Sequence, residues 1–459
     1  MKENKQDAVQ NAESQYEKMT TAPIGPLILK LAVPTVITML VTQVYNMADT
    51  AFVGQLGNSA SAAVGVVFGF MAILQAVGFL FGAGAGSLLS QRLGARDLEG
   101  AHKTASTGFF MSLFISILVG ILGLIFLDPL VYALGSTVTI APYAKIYIRY
   151  ILIAAPFIVP SFAMNNLLRY EGKAVFGMAG MMAGACLNII GDPIFIFGLK
   201  MGIAGAGLST LLSQIVGFLV LLSAFLRGKT ESRICWKMLT LKKGMVGNIV
   251  GVGMPSMLRQ SLGSAATVAL NLEAAVYGDP AVAAMSIVSR VSFFLFSVII
   301  GIGQGYQPVS GFNYGAGKYS RIRQGYRFTF ITEQITIIVI CLVGLFFSGN
   351  VIQFFRDDPE VILIGTRALR LQLVTLMFVP VTTCTEMQLQ STGQKLYSSL
   401  LASFRSGLIF IPALLILARV RGLSGIQEAQ PTAYILVMIP AIYYAWSFFI
   451  KLPREDKEG

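Results

Sequence analysis

Residues 27–52 read LILKLAVPTVITMLVTQVYNMADTAF, and only Lys30 and Asp49 in this run carry charge. A bilayer demands about twenty apolar residues of helix, because backbone groups in lipid must pair within their own segment. The run from residue 27 meets that demand, and eleven more follow near 60–80, 104–127, 144–162, 175–198, 203–226, 249–277, 282–302, 328–347, 367–387, 397–419 and 431–450. Composition agrees: 55% hydrophobic residues, 12% charged residues and a mean hydropathy of +0.71. A soluble domain carries about 25% charge. The sequence therefore predicts an all-α membrane protein of twelve transmembrane helices. They occupy nearly the whole chain, which leaves no room for a soluble catalytic domain, so an enzyme is not expected.

The first run has a partner in the second half of the chain, at one constant offset. Pro34 meets Pro255, Gly57 meets Gly278 and Ala60 meets Ala281. At the same offset Gly82 and Gly84 meet Gly303 and Gly305, Gly94-Ala95 meets Gly315-Ala316, and Gly172 meets Gly393. After a slip of one position, Gly202 and Gly205 meet Gly422 and Gly425. Each copy holds six helices, an even number, so both run the same way through the membrane. The expectation is two six-helix lobes related by a pseudo-two-fold along the membrane normal, a plan suited to alternating access. It divides the chain into a tail 1–25, an N-lobe 26–227, a linker 228–245, a C-lobe 246–450 and a tail 451–459.

A net charge of +12 raises the question of nucleic acid, and the placement of the charge answers it. Arg92, Arg96 and Lys103, then Arg169 and Lys173, then the run from Arg227 to Lys243, then Lys318 to Arg327, and Lys395 all follow even-numbered helices. The tails add Lys2, Lys5, Lys18, Lys451 and Lys457; loops after odd helices hold chiefly Lys200, Arg356, Arg419 and Arg421. By the positive-inside rule both termini are cytoplasmic. The stretch before Pro23 lacks an apolar core, so no cleaved signal is expected there, and residues 23–34 read as a short amphipathic lead-in. Cys186, Cys235, Cys341 and Cys384 show no CxxC spacing and read as packing residues.

Ionisable side chains deep in a bilayer cost roughly 2.5–3.5 kcal/mol each on insertion scales and mark function. Asp49 lies in the first span and Asp192 in the fifth, where Asn188 precedes it by one helical turn on the same face. The bland alternatives are that Asp49 sits at the outer interface and that Asp192 only precedes the bending Pro193. The repeat decides between them, because the second-lobe counterparts are Leu270, Ala413 and, for Asn188, Ile409. An architectural requirement would recur in both copies. Tyr147 and Thr210 are weaker candidates alone, Tyr147 belonging to a tyrosine stripe with Tyr143 and Tyr150. In the second lobe, Glu273 and Glu386 either face a cavity or pair across helices with arginines. Met178, Met181 and Met182 either fill the core or give varied ligands an adaptable surface.

Gly315-Ala316-Gly317-Lys318-Tyr319 lacks both the hydroxyl residue and the spacing of a nucleotide-binding loop, so ATP is not the expected energy source. The single histidine, His102, cannot by itself make a metal site, and no cofactor is expected.

The stretches Tyr45-Asn46-Met47-Ala48-Asp49-Thr50-Ala51-Phe52-Val53-Gly54, Asn188-Ile189-Ile190-Gly191-Asp192-Pro193 and Ser90-Gln91-Arg92-Leu93-Gly94-Ala95 resemble the multidrug and toxic compound extrusion (MATE) transporters, of the DinF-like type. The likeness extends over residues 26–450. It implies two lobes about a V-shaped cavity and a first-lobe cation site of Asp49, Tyr147, Asn188, Asp192 and Thr210. A related branch uses a glutamate about two turns after the seventh-helix proline; this chain has Gly263 and Ser264 there. The implied activity is efflux of drug-like organic cations in antiport with H⁺, the favoured ion, or with Na⁺ held by Asp49, Asn188, Asp192 and Thr210. Glu273, Glu386, Met178 and Met182 are the candidate cavity residues. The expected setting is the bacterial plasma membrane, as a monomer whose partners are organic cations and lipids rather than nucleic acid. The alternative is a lipid-linked oligosaccharide flippase of the same superfamily, which would need free arginines in its cavity, with Arg259 and Arg290 on offer.

Overall fold

The computed structural model describes residues 13–457. Residues 1–12, including the basic Lys2 and Lys5 of the expected tail, and residues 458–459 lie outside the described residues. Among the described residues, twelve long helices carry the fold. They are α1 (Ile24–Gly54), α2 (Asn58–Gly94), α3 (Leu98–Ile125), α4 (Ala141–Tyr170), α5 (Ala174–Gly198) and α6 (Ile203–Leu226), then α7 (Lys243–Ala275), α8 (Asp279–Gly315), α9 (Tyr319–Phe346), α10 (Pro359–Leu376 with Val379–Ser391), α11 (Lys395–Arg421) and α12 (Leu423–Lys451). Ten are long and apolar enough to cross a membrane, and α10, bent by 51° between its two parts, adds an eleventh. Helix α7 has 33 residues, ample length, but Arg259, Gln260 and a run of small residues lower its apolarity. Broad apolar surfaces face outwards, such as Leu118, Ile121 and Ile125 on α3 and Val339, Leu342 and Val343 on α9. On a soluble protein such patches would drive association; in lipid they are simply solvated.

The repeat reappears in backbone conformation. Gly57 and Gly278 turn the chain before α2 and α8 with φ of 110° and 90°. Gly202 and Gly422, paired after the one-position slip, do so before α6 and α12 with φ of 58° and 60°. Both pairs lie where L side chains are strained, so glycine recurs there for a backbone reason.

The chain packs as two compact units, one made of Met1–Ala22, as far as described, with Ile37–Met257, the other of Pro23–Val36 with Leu258 to the end of the described chain. The boundaries differ from those expected from sequence. Residues 24–34 are no separate lead-in but the first turns of α1, and they pack with the second unit. Ala32 lies against Gly305 and Val36 against Gly301. Likewise the first part of α7 packs in the first unit, where Gly84 and Gly253 admit close backbone approach to Ile249 and Leu80. The two crossing points, after Val36 and after Met257, are themselves equivalent positions of the repeat, since 257 − 36 equals 255 − 34. Each lies just beyond a member of the Pro34/Pro255 pair, where a helix interior lacks one backbone donor.

Within the first unit, α4 is the central helix and closes on α2 through small residues. A Cβ on Gly82 would fall 2.8 Å from Ala163 Cα and one on Gly78 2.6 Å from Phe162 Cβ. Val64, Leu74, Tyr147, Ile148 and Ile151 fill this core. The second unit is built on Ile299, Leu369, Leu373 and Phe410. Cys341 and Cys384 are buried as expected, whereas Cys186 and Cys235 are exposed.

Candidate functional site

The close α2–α4 packing fixes Tyr147 in the core of the first unit, and the neighbouring helices bring the other candidates to it. Asp49 comes from α1, Asn188 and Asp192 from one face of α5, and Thr210 from α6; all five side chains are buried. Tyr147 donates to Asp49 Oδ2 at 3.4 Å. The Asn188 amide donates to Asp192 Oδ1 at 3.2 Å, Thr210 Oγ1 at 3.3 Å and Ser209 Oγ at 3.4 Å. Thr210 spends its own proton on the Ala206 carbonyl at 3.0 Å. Asp49 is thus enclosed by the first unit, with 3% of its surface exposed. Directly after Asp192 and Pro193, α5 changes to a π turn over Ile194–Gly198, a distortion frequent at functional sites.

The two carboxyl groups are close neighbours in the cluster. Ionised carboxylates only accept hydrogen bonds, so this contact calls for a proton or another cation between them. Three acceptors in the cluster, Asp49 Oδ1, Asp192 Oδ2 and Asn188 Oδ1, are buried without a donor. Buried polar atoms are almost always paired, so three such oxygens on three neighbouring residues mark a place for positive charge. Carboxylate, amide and hydroxyl oxygens are hard ligands that suit Na⁺ as well as a proton.

Sequence reasoning missed three contributors: Ser209, bonded to Asn188; Tyr45, close to both carboxyls; and Gln214, bonded to Tyr45. The spacing offers a signal only for Tyr45, one helical turn before Asp49. Beside the cluster, a cleft within the first unit is lined by Thr42, Tyr45, Gln75, Asn188, Ser213 and Gln214 on its polar side. Met71, Ile158, Phe162 and Met181 line its apolar side. Of the three α5 methionines, Met181 is thus the one at this cleft, while Met178 and Met182 are half-buried elsewhere on the helix.

The second-unit candidates separate. Glu273 is half-buried on α7. Glu386 is buried on α10 and held by two arginines, Arg259 at 2.5 Å and Arg405 at 3.2 Å, so it pairs across helices. Arg405 also donates to Thr383 Oγ1 at 3.1 Å and lies 4.6 Å over the Phe296 ring.

The MatE family model matches this chain twice, over residues 34–194 and 255–416. The two matches begin at the paired prolines Pro34 and Pro255, one in each copy of the repeat. The chain belongs to the MatE family, the multidrug and toxic compound extrusion transporters that its sequence resembles, and is a multi-pass membrane transporter. Among its relatives, the multidrug export protein MepA of Staphylococcus haemolyticus (strain JCSC1435) is 28% identical over 91% of this chain and 92% of its own length. The protein of that name in Staphylococcus aureus (strain MSSA476) is 28% identical over 97% and 99%. An outward-facing multidrug resistance MATE family transporter superposes with a TM-score of 0.89 at 27% identity, covering 95% of this chain and 98% of that one. A transporter of the same superfamily from Pyrococcus furiosus Vc1, described as having a binding pocket of reversed polarity, gives the same values.

Proposed function

We propose that this chain exports drug-like organic cations by alternating access, in antiport with H⁺, from a bacterial plasma membrane. The observation that carries the reading is the meeting of Asp49 and Asp192 in a buried cluster with three acceptor oxygens lacking donors. One proton shared between two carboxyls satisfies that contact without a full coordination shell. The cleft beside it shares Asn188 and Tyr45 with the cluster, so a bound cation and the coupling ion would compete for the same negative charge. Export of compounds by the MepA relatives supports the substrate class.

The flippase alternative is weaker on the same ground. A pyrophosphate needs free guanidinium donors gathered in a cavity; of the two arginines on offer, Arg259 is engaged with Glu386 and Arg290 is exposed on α8.

The test is efflux of a fluorescent organic cation from proteoliposomes under an imposed pH gradient. Asp49→Asn and Asp192→Asn should each abolish gradient-driven efflux while the purified variants keep wild-type helix content. Full activity in either variant refutes the assignment of coupling to this cluster.

A further inference from the structure

Glu333, near the middle of α9, is fully buried, and neither of its carboxyl oxygens has a hydrogen-bond partner. A carboxylate without a hydrogen-bond partner in such a place is costly, so burial favours the neutral, protonated form of Glu333. The architecture does not require an acid there. The equivalent position in the first copy of the repeat is Ser112, whose hydroxyl is satisfied by the Phe109 carbonyl of its own helix at 2.7 Å. Nor is the glutamate a filler pushed in from outside. A Cβ added to Gly303 on α8 would stand 2.8 Å from Glu333 Oε1, so the carboxyl rests directly on that glycine.

The groups facing Glu333 are few. Tyr326 lies on its own helix, Cys384 on α10 and the Arg405 guanidinium on α11, while α8 contributes Gly303. Arg405 is the telling neighbour. Its Nη2 lies 3.2 Å from Glu386 Oε2, yet it makes no hydrogen bond in that direction. Glu386 is shared between two guanidiniums, Arg259 and Arg405, so a neutral Glu333 leaves the cluster with one excess positive charge. Loss of the Glu333 proton would bring the sum to zero and give each arginine its own carboxylate.

We propose that Glu333 is a second proton-binding site, confined to the second unit, which gives up its proton when Arg405 turns from Glu386 to pair with it. In that step the Glu333 O–H bond breaks, the proton passes to water, and Arg405 keeps its charge throughout. The site goes beyond the Asp49–Asp192 cluster and stands whether or not that cluster carries coupling.

The experiment is the infrared difference spectrum between acid and alkaline pH, recorded on purified protein in nanodiscs, with proton release counted by indicator titration. The parent is an Asp49→Asn/Asp192→Asn double variant, which removes the first-unit carboxyls from the spectrum. Glu333→Gln matches the neutral form in shape, so the fold is kept. The expected result is loss of one protonated-carboxyl C=O band and of a single released proton, with Glu333→Asp restoring both. An unchanged spectrum and proton count in Glu333→Gln overturns the proposal. Because efflux is not the readout, failure of the first-unit coupling reading leaves this result interpretable.

Discussion

The Tyr147 hydroxyl on α4 donates to Asp49 Oδ2 on α1 at 3.4 Å, across 98 residues of chain. The bond is long, so it orients Asp49 more than it stabilises it. Removing it by Tyr147→Phe leaves the carboxyl in place and loses one hydrogen bond, worth about 0.5–1.5 kcal/mol. Efflux driven by a pH gradient should fall roughly 2- to 12-fold. Complete inactivation, matching that expected of Asp49→Asn, would mean that Tyr147 is itself part of the ion path.

Glu386 should behave differently from the first-unit acids. Breaking a buried ion pair from one side costs about 3–5 kcal/mol, because charge is left buried and uncompensated. Glu386→Gln strands Arg405, which is 4% exposed, so it should lower the melting temperature and the yield of folded protein. Glu273→Gln, at a half-buried position, should stay within about 0.5 kcal/mol of wild type. Thermal melts in detergent measure both, and an unchanged melt for Glu386→Gln would contradict the ion-pair reading.

The two acids also show how far the sequence could be read. The repeat was legible because glycines and prolines answer to local backbone needs, and the asymmetry of Asp49 and Asp192 against Leu270 and Ala413 singled out the cluster. Ser209 and Gln214 were not legible, because a hydroxyl or an amide within an apolar helix is ordinary until its neighbours are known. The fate of Glu386 depended on Arg259, 127 residues distant, and no helical spacing encodes such a pair. The crossing of α1 and α7 between units was hidden for the same reason. Which unit the first turns of a helix pack against is set by tertiary contact, while the apolar pattern of the helix is continuous.

A buried acid just past the end of α4 makes a pH-dependent clasp. Glu171 accepts from the backbone N–H of Glu231 at 3.0 Å and of Ser232 at 3.1 Å, and from Ser232 Oγ, so within the first unit it ties the segment after α6 to the α4–α5 turn. Gln15 donates to its carbonyl at 2.8 Å, and Lys173 pairs with Glu231 at 2.9 Å. Burial pushes the Glu171 carboxyl up from 4.5 to about 7, against the lowering effect of those three donors. The closed clasp thus holds a proton that the open one releases. Its stability is fully present below pH 4.5, falls as pH rises to about 7, and is flat above that. Hydrogen exchange at the Ser232 amide, corrected for intrinsic rate, should show protection declining over that window. Glu171→Gln should flatten the decline, and protection rising with pH would reverse the assignment.

The linker carries its own topological probe. Cys235 is exposed beside the basic run expected on the cytoplasmic side. With Cys186, the other exposed cysteine, changed to serine, a membrane-impermeant maleimide should label Cys235 only after the cells are opened. Cysteines placed at Asn58 and Asp358 should label in intact cells. Labelling of Cys235 from outside would invert the topology drawn from the positive-inside rule.

The coupling ion is decided by the oxygens around Asp49 and Asp192. A proton bridges two carboxyls by itself, whereas Na⁺ must gather several oxygens at once. Three oxygens stand without a donor here, Asp49 Oδ1, Asp192 Oδ2 and Asn188 Oδ1, and Na⁺ would need further oxygens beside them, whereas a proton would not. The expected outcome is therefore efflux driven by an inward pH gradient in Na⁺-free buffer. With pH clamped equal across the membrane by an ionophore, a Na⁺ gradient alone should give no efflux. Each charge moved is worth about 2.3 kcal/mol per 100 mV, so membrane potential must be clamped as well. If efflux runs at full rate on the Na⁺ gradient and stops when K⁺ replaces Na⁺, then the same residues form a Na⁺ site.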